Sequence, residues 1–341
     1  MWRKRVIIPA IIIMMVAAQL MVVGKTDDGY PYRSTRFAQL VAESYREGKA
    51  GDPGRFFGWL DKGYRESPLR LLGESGEGIN GLIGYEKQEL ANISDALKKA
   101  EAEIALGARL HKLVKAIIPK FSLDRGFEFY NTEKLGERQC FLQSVLIVGL
   151  LQDIGVSAGT VMVYKNNRGE ETNNGHAVVL VKLSDGRDII IDASEPQPFG
   201  HHQGLFIAAG EYRYVEPIYE EGSYKIREYL SASSREILAT SKINPLDYDF
   251  IRSQFYYYRG ERAVGGVLSK SKTKAGLQLS ERYLRTSVTI CPRNPLAVYM
   301  LGKVYLAEKS AKQAKDSFKQ AHGLYSRFGW VPQGSQDSLS M

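Results

Sequence analysis

Cys140 is the residue whose chemistry the rest of the chain has to explain. It stands in Gly136-Glu137-Arg138-Gln139-Cys140-Phe141-Leu142-Gln143-Ser144, where a turn-forming glycine leads into an apolar helical pattern. A thiol at a helix start lies beside free backbone N–H groups and the positive end of the helix dipole, which favour the nucleophilic thiolate. His176 follows 36 residues later, at the head of an apolar strand pattern, and Asp192 a further 16 residues on, ending Asp188-Ile189-Ile190-Ile191-Asp192. That order suits nucleophilic acyl chemistry. The thiol attacks, the imidazole takes and returns a proton, and the carboxylate orients the imidazole.

The hairpin between His176 and Asp192 decides whether they can meet. A two-residue Asp185-Gly186 loop would set Val179 opposite Asp192 and turn His176 to the other sheet face. A three-residue loop, Ser184-Asp185-Gly186, closing between Leu183 and Arg187, sets Val178 opposite Asp192. His176 then shares the face of Asp192 as a diagonal neighbour. This second geometry requires a left-handed Gly186.

The surrounding elements follow from periodicity. Residues 30–120 read as a helical region: Ser34 caps a helix carrying Phe37, Leu40, Val41 and Tyr45. A short amphipathic piece covers Phe56 to Tyr64, and one long helical pattern runs from Glu86 to Ile118. Gly73 to Gly84 reads as irregular. Residues 121–225 alternate a helix from Cys140 with strands at Thr160–Tyr164, His176–Leu183, Arg187–Asp192, Leu205–Ile207 and Arg213–Val215, an α+β pattern. Residues 245–328 are helical again. Leu301, Gly302, Tyr305, Ala314, Phe318 and Ala321 take tetratricopeptide spacing, with a degenerate predecessor around Phe250 to Pro292. Residues 329–341 read as a disordered tail.

These motifs together resemble the transglutaminase-like superfamily of papain-like folds. The resemblance rests on Gly136 and Cys140, on Leu151, Ile154-Gly155-Val156 and Ala158-Gly159, on Gly175-His176-Ala177-Val178, and on Ile191-Asp192-Ala193. It covers about a quarter of the chain. Phe141 fits the aromatic residue that often follows the family's cysteine, and Ala193-Ser194-Glu195-Pro196 is close to its usual ending. Val178 departs, standing where Trp is frequent. The resemblance implies an α+β fold with a helix packed on an antiparallel sheet. It also implies Cys140 as nucleophile, His176 as general base and acid, and Asp192 as orienting carboxylate. The expected activity is that of a cysteine peptidase, amidase or acyltransferase, hydrolysing or cross-linking amides of a protein or peptide. The alternative is a non-enzymatic binding or assembly module with a relict site.

No metal or organic cofactor is expected for this chemistry. His201 and His202 could ligate a metal with His176, but no carboxylate or cysteine spacing completes a set. Cys140 and Cys291 are the two cysteines, and Cys140 reads as catalytic rather than disulfide-bonded. The net charge of +8 is spread along the chain, which argues against a nucleic-acid surface. Residues 1–24 read as a targeting segment: Trp2-Arg3-Lys4-Arg5 precedes 19 uncharged residues, Val6 to Gly24. Either a cleaved signal peptide or an uncleaved membrane anchor satisfies that pattern. Both imply export, to the periplasm or beyond, with the membrane touched only through this segment. A protein partner is expected at the C-terminal helical repeat.

Overall fold

The computed structural model describes residues 29–70 and 78–340. The targeting segment therefore lies outside the described residues, and among those described no helix is long and apolar enough to cross a membrane.

Apolar residues at helical spacing build the N-terminal third. Ser34 accepts from the Phe37 N–H and starts α1 (Thr35–Glu47), which buries Phe37, Leu40, Val41 and Tyr45. Next come α2 (Gly54–Glu66), α3 (Ile79–Ala91) and α4 (Ala96–Ile117). The pattern expected as one helix from Glu86 is thus two. Asn92-Ile93-Ser94-Asp95 interrupts it, because short polar side chains compete for backbone groups. Asp95 instead caps α4 by accepting from Lys98 N–H. Part of the Gly-rich stretch is helical too: α3 begins after Gly78, at φ +70°, with Ile79 N–H bonded to Asp61 Oδ1 at 3.0 Å.

A short strand β1 (Lys120–Phe121), helix α5 (Phe129–Leu135) and strand β2 (Glu137–Arg138) lead to α6 (Cys140–Ile154). β1 and β2 pair in parallel, with Phe121 opposite Arg138. Gly155 closes α6 in the left-handed conformation at φ +104°. α6 is buried around nearly its whole circumference. Gly149 has no room for a side chain, since a Cβ would come within 2.8 Å of the Phe37 ring.

Seven strands follow: β3 (Ala158–Lys165), β4 (Glu171–Lys182), β5 (Asp188–Ile191), β6 (Gly204–Ala209), β7 (Glu211–Tyr219), β8 (Ile226–Ser231) and β9 (Ile237–Ala239). They form an antiparallel sheet in the order β5-β4-β3-β6-β7-β8-β9. One further pair, Asp188 opposite Ile226, joins β5 to β8 and closes a barrel. Tyr229 OH donates to Asp188 Oδ2 at 2.7 Å across the same seam. Val161, Val163, Val178, Leu180, Ile190, Leu205 and Ile207 form a separate apolar cluster with residues of β7, β8 and β9. Met162, Ala177, Val179, Val181 and Ile191 belong to the main core with α6. This alternation is the period of two that a sheet buried on both faces requires. The sheet runs past the expected boundary at 225. In Ile226-Arg227-Glu228-Tyr229 the charged residues mask a strand whose buried positions are Ile226, Tyr229 and Ser231.

Two helical hairpins in series complete the chain: α7 (Tyr248–Glu261) with α8 (Lys274–Ile290), and α9 (Pro295–Ala307) with α10 (Ala311–Phe328). Each hairpin crosses at a glycine. A Cβ on Gly302 would meet the Phe318 ring at 2.7 Å, and one on Gly260 would meet Leu284 at 2.6 Å. The segment expected as a disordered tail is structured up to Ser340, with α11 (Gln333–Asp337) and a 3-10 turn at Ser338–Ser340. Trp330 anchors it, packing on Tyr164 at 4.9 Å and Tyr214 at 5.1 Å.

The hairpins are keyed to the helices around α6 by a buried ion pair. Arg259 on α7 grips Glu128 at the start of α5 through Nε at 2.7 Å and Nη2 at 2.9 Å. Both side chains are almost fully shielded. Glu128→Leu should therefore cost about 3–5 kcal/mol, because Arg259 keeps its charge in a dry site. The double variant Glu128→Leu/Arg259→Met should be more stable than the single in urea unfolding. Equal stability of the two would show that unpaired charge is not the source of the cost.

Candidate active site

Cys140 is the first residue of α6, and its N-cap residue Gln139 makes no side-chain capping bond. The thiol is 8% exposed and unpaired, as is Cys291, which lies elsewhere beside Tyr212. The helix start is fixed in space. Ser144 Oγ on the first turn but one donates to the Ala177 carbonyl at 3.2 Å, tying α6 to the strand that carries His176.

The β4–β5 hairpin has the three-residue loop. Leu183 N–H bonds Arg187 O at 2.8 Å, and Gly186 is left-handed at φ +87°. The register runs Val179↔Ile191 through Lys182↔Asp188, so Val178 falls opposite Asp192. His176 and Asp192 share a sheet face, and His176 Nε2 lies 2.8 Å from Asp192 Oδ2. On the other side of β4 the pairing with β3 slips between Val163 and Lys165, beside the Val163↔His176 pair. Such irregularities re-aim side chains next to active sites.

With Nε2 turned to Asp192, Nδ1 is the ring nitrogen left to serve Cys140. Burial disfavours a charged ring here. The bonds with Asp192 and Cys140, and their negative charge, outweigh it and raise the His176 pKa to about 10. A nearby imidazolium is the partner that a thiolate requires.

Asp192 is 1% exposed. Burial opposes its charge, yet hydrogen bonds from His176 and His202, and the charge on those rings, hold its pKa far below the usual carboxylate range. Its Oδ2 accepts from both histidines at 2.8 Å, and its Oδ1 accepts from the Ser194 N–H at 2.9 Å. His202 was thus undervalued in the sequence. The carboxylate missing from its spacing is Asp192, which the fold brings between the two rings. The chain returns from β5 through Asp192 N–H to Pro198 O at 2.9 Å and an Ile191–Phe199 bridge, which carries His202 back to the carboxylate. Tyr219 OH fixes His202 through its carbonyl at 2.8 Å.

His176, Asp192 and His202 offer ligand atoms within 4.8 Å of one another and are the residues that would hold a metal ion. Their observed geometry is that of hydrogen bonds. Both Nε2 atoms point at one oxygen at 2.8 Å, and a metal would have to displace both protons to reach its shorter bonds of about 2.0–2.2 Å.

Tyr258 is a second residue that the sequence did not single out. It lies in the aromatic run Phe255-Tyr256-Tyr257-Tyr258 of α7. In the structure Tyr258 OH donates to the Gly175 carbonyl at 2.9 Å, immediately before His176. Its ring packs on Phe127 and Phe141. Burial, and next the negative charge of Cys140, push its phenol well above the ordinary value, so it remains a donor.

No family model matches the chain. No curated protein matches it. Among solved structures it is similar to one described as the crystal structure of menin that reveals the binding site for Mixed Lineage Leukemia (MLL) protein. The identity is 13% and the TM-score 0.43, over 89% of this chain and 64% of that one. The chain thus spans just under two thirds of the menin chain, and a likeness of this degree assigns neither fold family nor function.

The raised His176 pKa has a signed consequence for stability. A group whose folded pKa exceeds its unfolded value of about 6.5 contributes fully below that value and loses its contribution as pH rises through the folded pKa. The stability margin of the wild type over His176→Gln should therefore shrink between pH 6.5 and about 10. Urea unfolding of both proteins across that range measures it, and a margin that grows with pH would contradict the assignment.

Proposed function

We propose that the chain is a cysteine-dependent acyl-transfer enzyme of the transglutaminase-like, papain-like class, acting on an amide of a protein or peptide. The observation that carries this reading is the 2.8 Å hydrogen bond from the His176 ring to the buried Asp192 carboxylate, on a strand that Ser144 ties to the helix begun by Cys140. A helix packed against an antiparallel sheet, with the thiol at the helix start, supports the papain-like core.

The chemistry follows from the arrangement. The sulfur attacks the carbonyl carbon, and the oxyanion forms at the N-terminus of α6, where the Cys140 N–H is a preorganised donor. His176 gives its proton to the leaving amine as the C–N bond breaks, leaving a thioester. Water or an amine then attacks the thioester, His176 takes its proton, and the thiol is regenerated. Hydrolysis is the outcome with water, cross-linking with an amine. Asp192 holds the imidazole in the productive tautomer, and His202 holds Asp192. The basic stretch and 19 uncharged residues at the N-terminus support export, with the catalytic unit outside the cytoplasm. The C-terminal hairpins brace the site through Tyr258 and Arg259 and offer a surface for a protein partner.

Cys140→Ala should abolish labelling at residue 140 and all turnover while the fold persists. Asp192→Asn should lower turnover far more than stability, by about 10⁴-fold if it behaves as a serine-protease triad does. Near-normal turnover would mean that another acid orients His176. His202→Phe removes one donor from Asp192, so the acid limb of the alkylation rate should move to higher pH. His202→Gln, which keeps a donor, should restore it. A limb that stays in place in His202→Phe would show that His202 only fills space.

A further inference from the structure

Two cations, Arg138 near the start of α6 and Lys115 at the turn after Asp192, make no ion pair among the described residues. Arg138 precedes Cys140 by two residues, and its Nη1 donates to Gln143 Oε1 at 2.9 Å. Gln143 is three residues beyond Cys140, on the same face of α6, so the guanidinium lies over the helix start. Its Nε is buried and has no hydrogen-bond partner among the described residues. Two other arginines show what that edge does when it is satisfied. Arg125 grips Glu137 through Nε at 3.1 Å and Nη2 at 2.5 Å, and Arg259 grips Glu128 through the same two atoms. In Arg138 the opposite nitrogen is the one engaged by Gln143, and the carboxylate-gripping edge is left over. Burial lowers the Arg138 pKa with no acid offsetting it, since neighbouring Glu137 is committed to Arg125.

Lys115 on α4 is the second cation. Its Nζ lies 2.5 Å from the Glu195 carbonyl and 3.5 Å from the Ser194 carbonyl, on the turn that follows Asp192. Burial first, then the charge of Arg138, lower its pKa. The charges of Asp192 and Glu195 act against that. Neither forms an ion pair with it: the Asp192 oxygens are taken by His176, His202 and the Ser194 N–H, and Glu195 is exposed. A cation that feels the charge of another, and a buried donor left unsatisfied, both destabilise the fold. Departures of this kind concentrate where a ligand supplies what is missing.

We infer that Arg138 and Lys115 form a subsite for a carboxylate of the substrate, next to the carbonyl that Cys140 attacks. The inference rests on the acyl-transfer reading above and adds the substrate's charge to it. A carboxylate bound side-on to Arg138 satisfies Nε, relieves the repulsion with Lys115, and fixes the scissile amide over the thiol. An acidic side chain and a terminal carboxylate share this chemistry.

Two thiol reagents that differ only in charge test it. Iodoacetate and iodoacetamide both form a bond from sulfur to the methylene carbon and expel iodide, but only the first carries a carboxylate. The rate ratio of iodoacetate to iodoacetamide is measured at Cys140 by peptide mass mapping, each variant's iodoacetamide rate serving as its own reference. Arg138→Gln and Lys115→Gln should each lower the ratio, and the double variant should lower it about tenfold or more. Because Lys115 is partly exposed in the last turn of α4, its variant keeps the test open if Arg138→Gln fails to fold. The acetyl-aspartyl and acetyl-asparaginyl chloromethyl ketones separate the two sources. A charge preference that depends on Arg138 in this pair identifies an acidic side chain, and its absence here alongside its presence with iodoacetate identifies a terminal carboxylate. A ratio unchanged by the substitutions overturns the subsite. If His176→Ala leaves the iodoacetamide rate unaltered, the acyl-transfer reading itself falls, and the substrate assignment with it, whatever the ratio does.

Discussion

A carboxylate removed from water must be surrounded by donors, and Asp192 is where this chain meets that requirement. Three donors converge on its two oxygens from three separate stretches: a strand, a tight turn and a returning loop. Each would gain little alone, and an unpaired charge at this depth would be unfavourable by several kcal/mol. The carboxylate therefore forces the β4–β5 register, the turn after β5 and the path to His202 into one arrangement. The orientation of His176 follows from that arrangement and needs no separate device.

The other fixed point is α6. An amphipathic surface helix can slide or roll by small amounts, whereas a helix buried on all sides cannot without opening voids on every face. Phe37 against Gly149, Ser144 against the Ala177 carbonyl, and Phe141 between Phe255 and Tyr258 lock it from different directions. The thiol at its start inherits that rigidity. Tyr258 belongs to both halves of the problem, since one ring packs on the helix start while its hydroxyl holds the backbone before His176.

What the sequence disclosed follows the same physics. Gly186 and the odd–even arithmetic of a hairpin fixed the relative face of His176 and Asp192 because sheet parity is local. Cys140 was legible because a glycine and an apolar run mark a helix start. His202 was not, since it lies in a loop and its partner is set by how the chain returns. Tyr258 is 118 residues from Cys140 and looked like any other aromatic on a helix. The break at Asn92 was hidden by apolar spacing that carried through it. The structured C-terminus was hidden by polar composition around one anchoring residue, Trp330.

The seam of the barrel places the site on an uneven foundation. β5 is bonded along its length to β4, but to β8 through a single backbone pair and the contacts of Asp188. All four residues of β5 are nevertheless buried, with Ile190 in the barrel interior and Ile189 and Ile191 in the main core, so side-chain burial and not backbone pairing holds the seam shut. Asp192 is the residue that follows β5. The strand therefore cannot lift from its seam without exposing both apolar layers to water. Separation of Asp192 from His176 and unfolding of the barrel would then be one transition in this architecture, so the geometry of the pair should persist unchanged up to the point at which the chain itself melts.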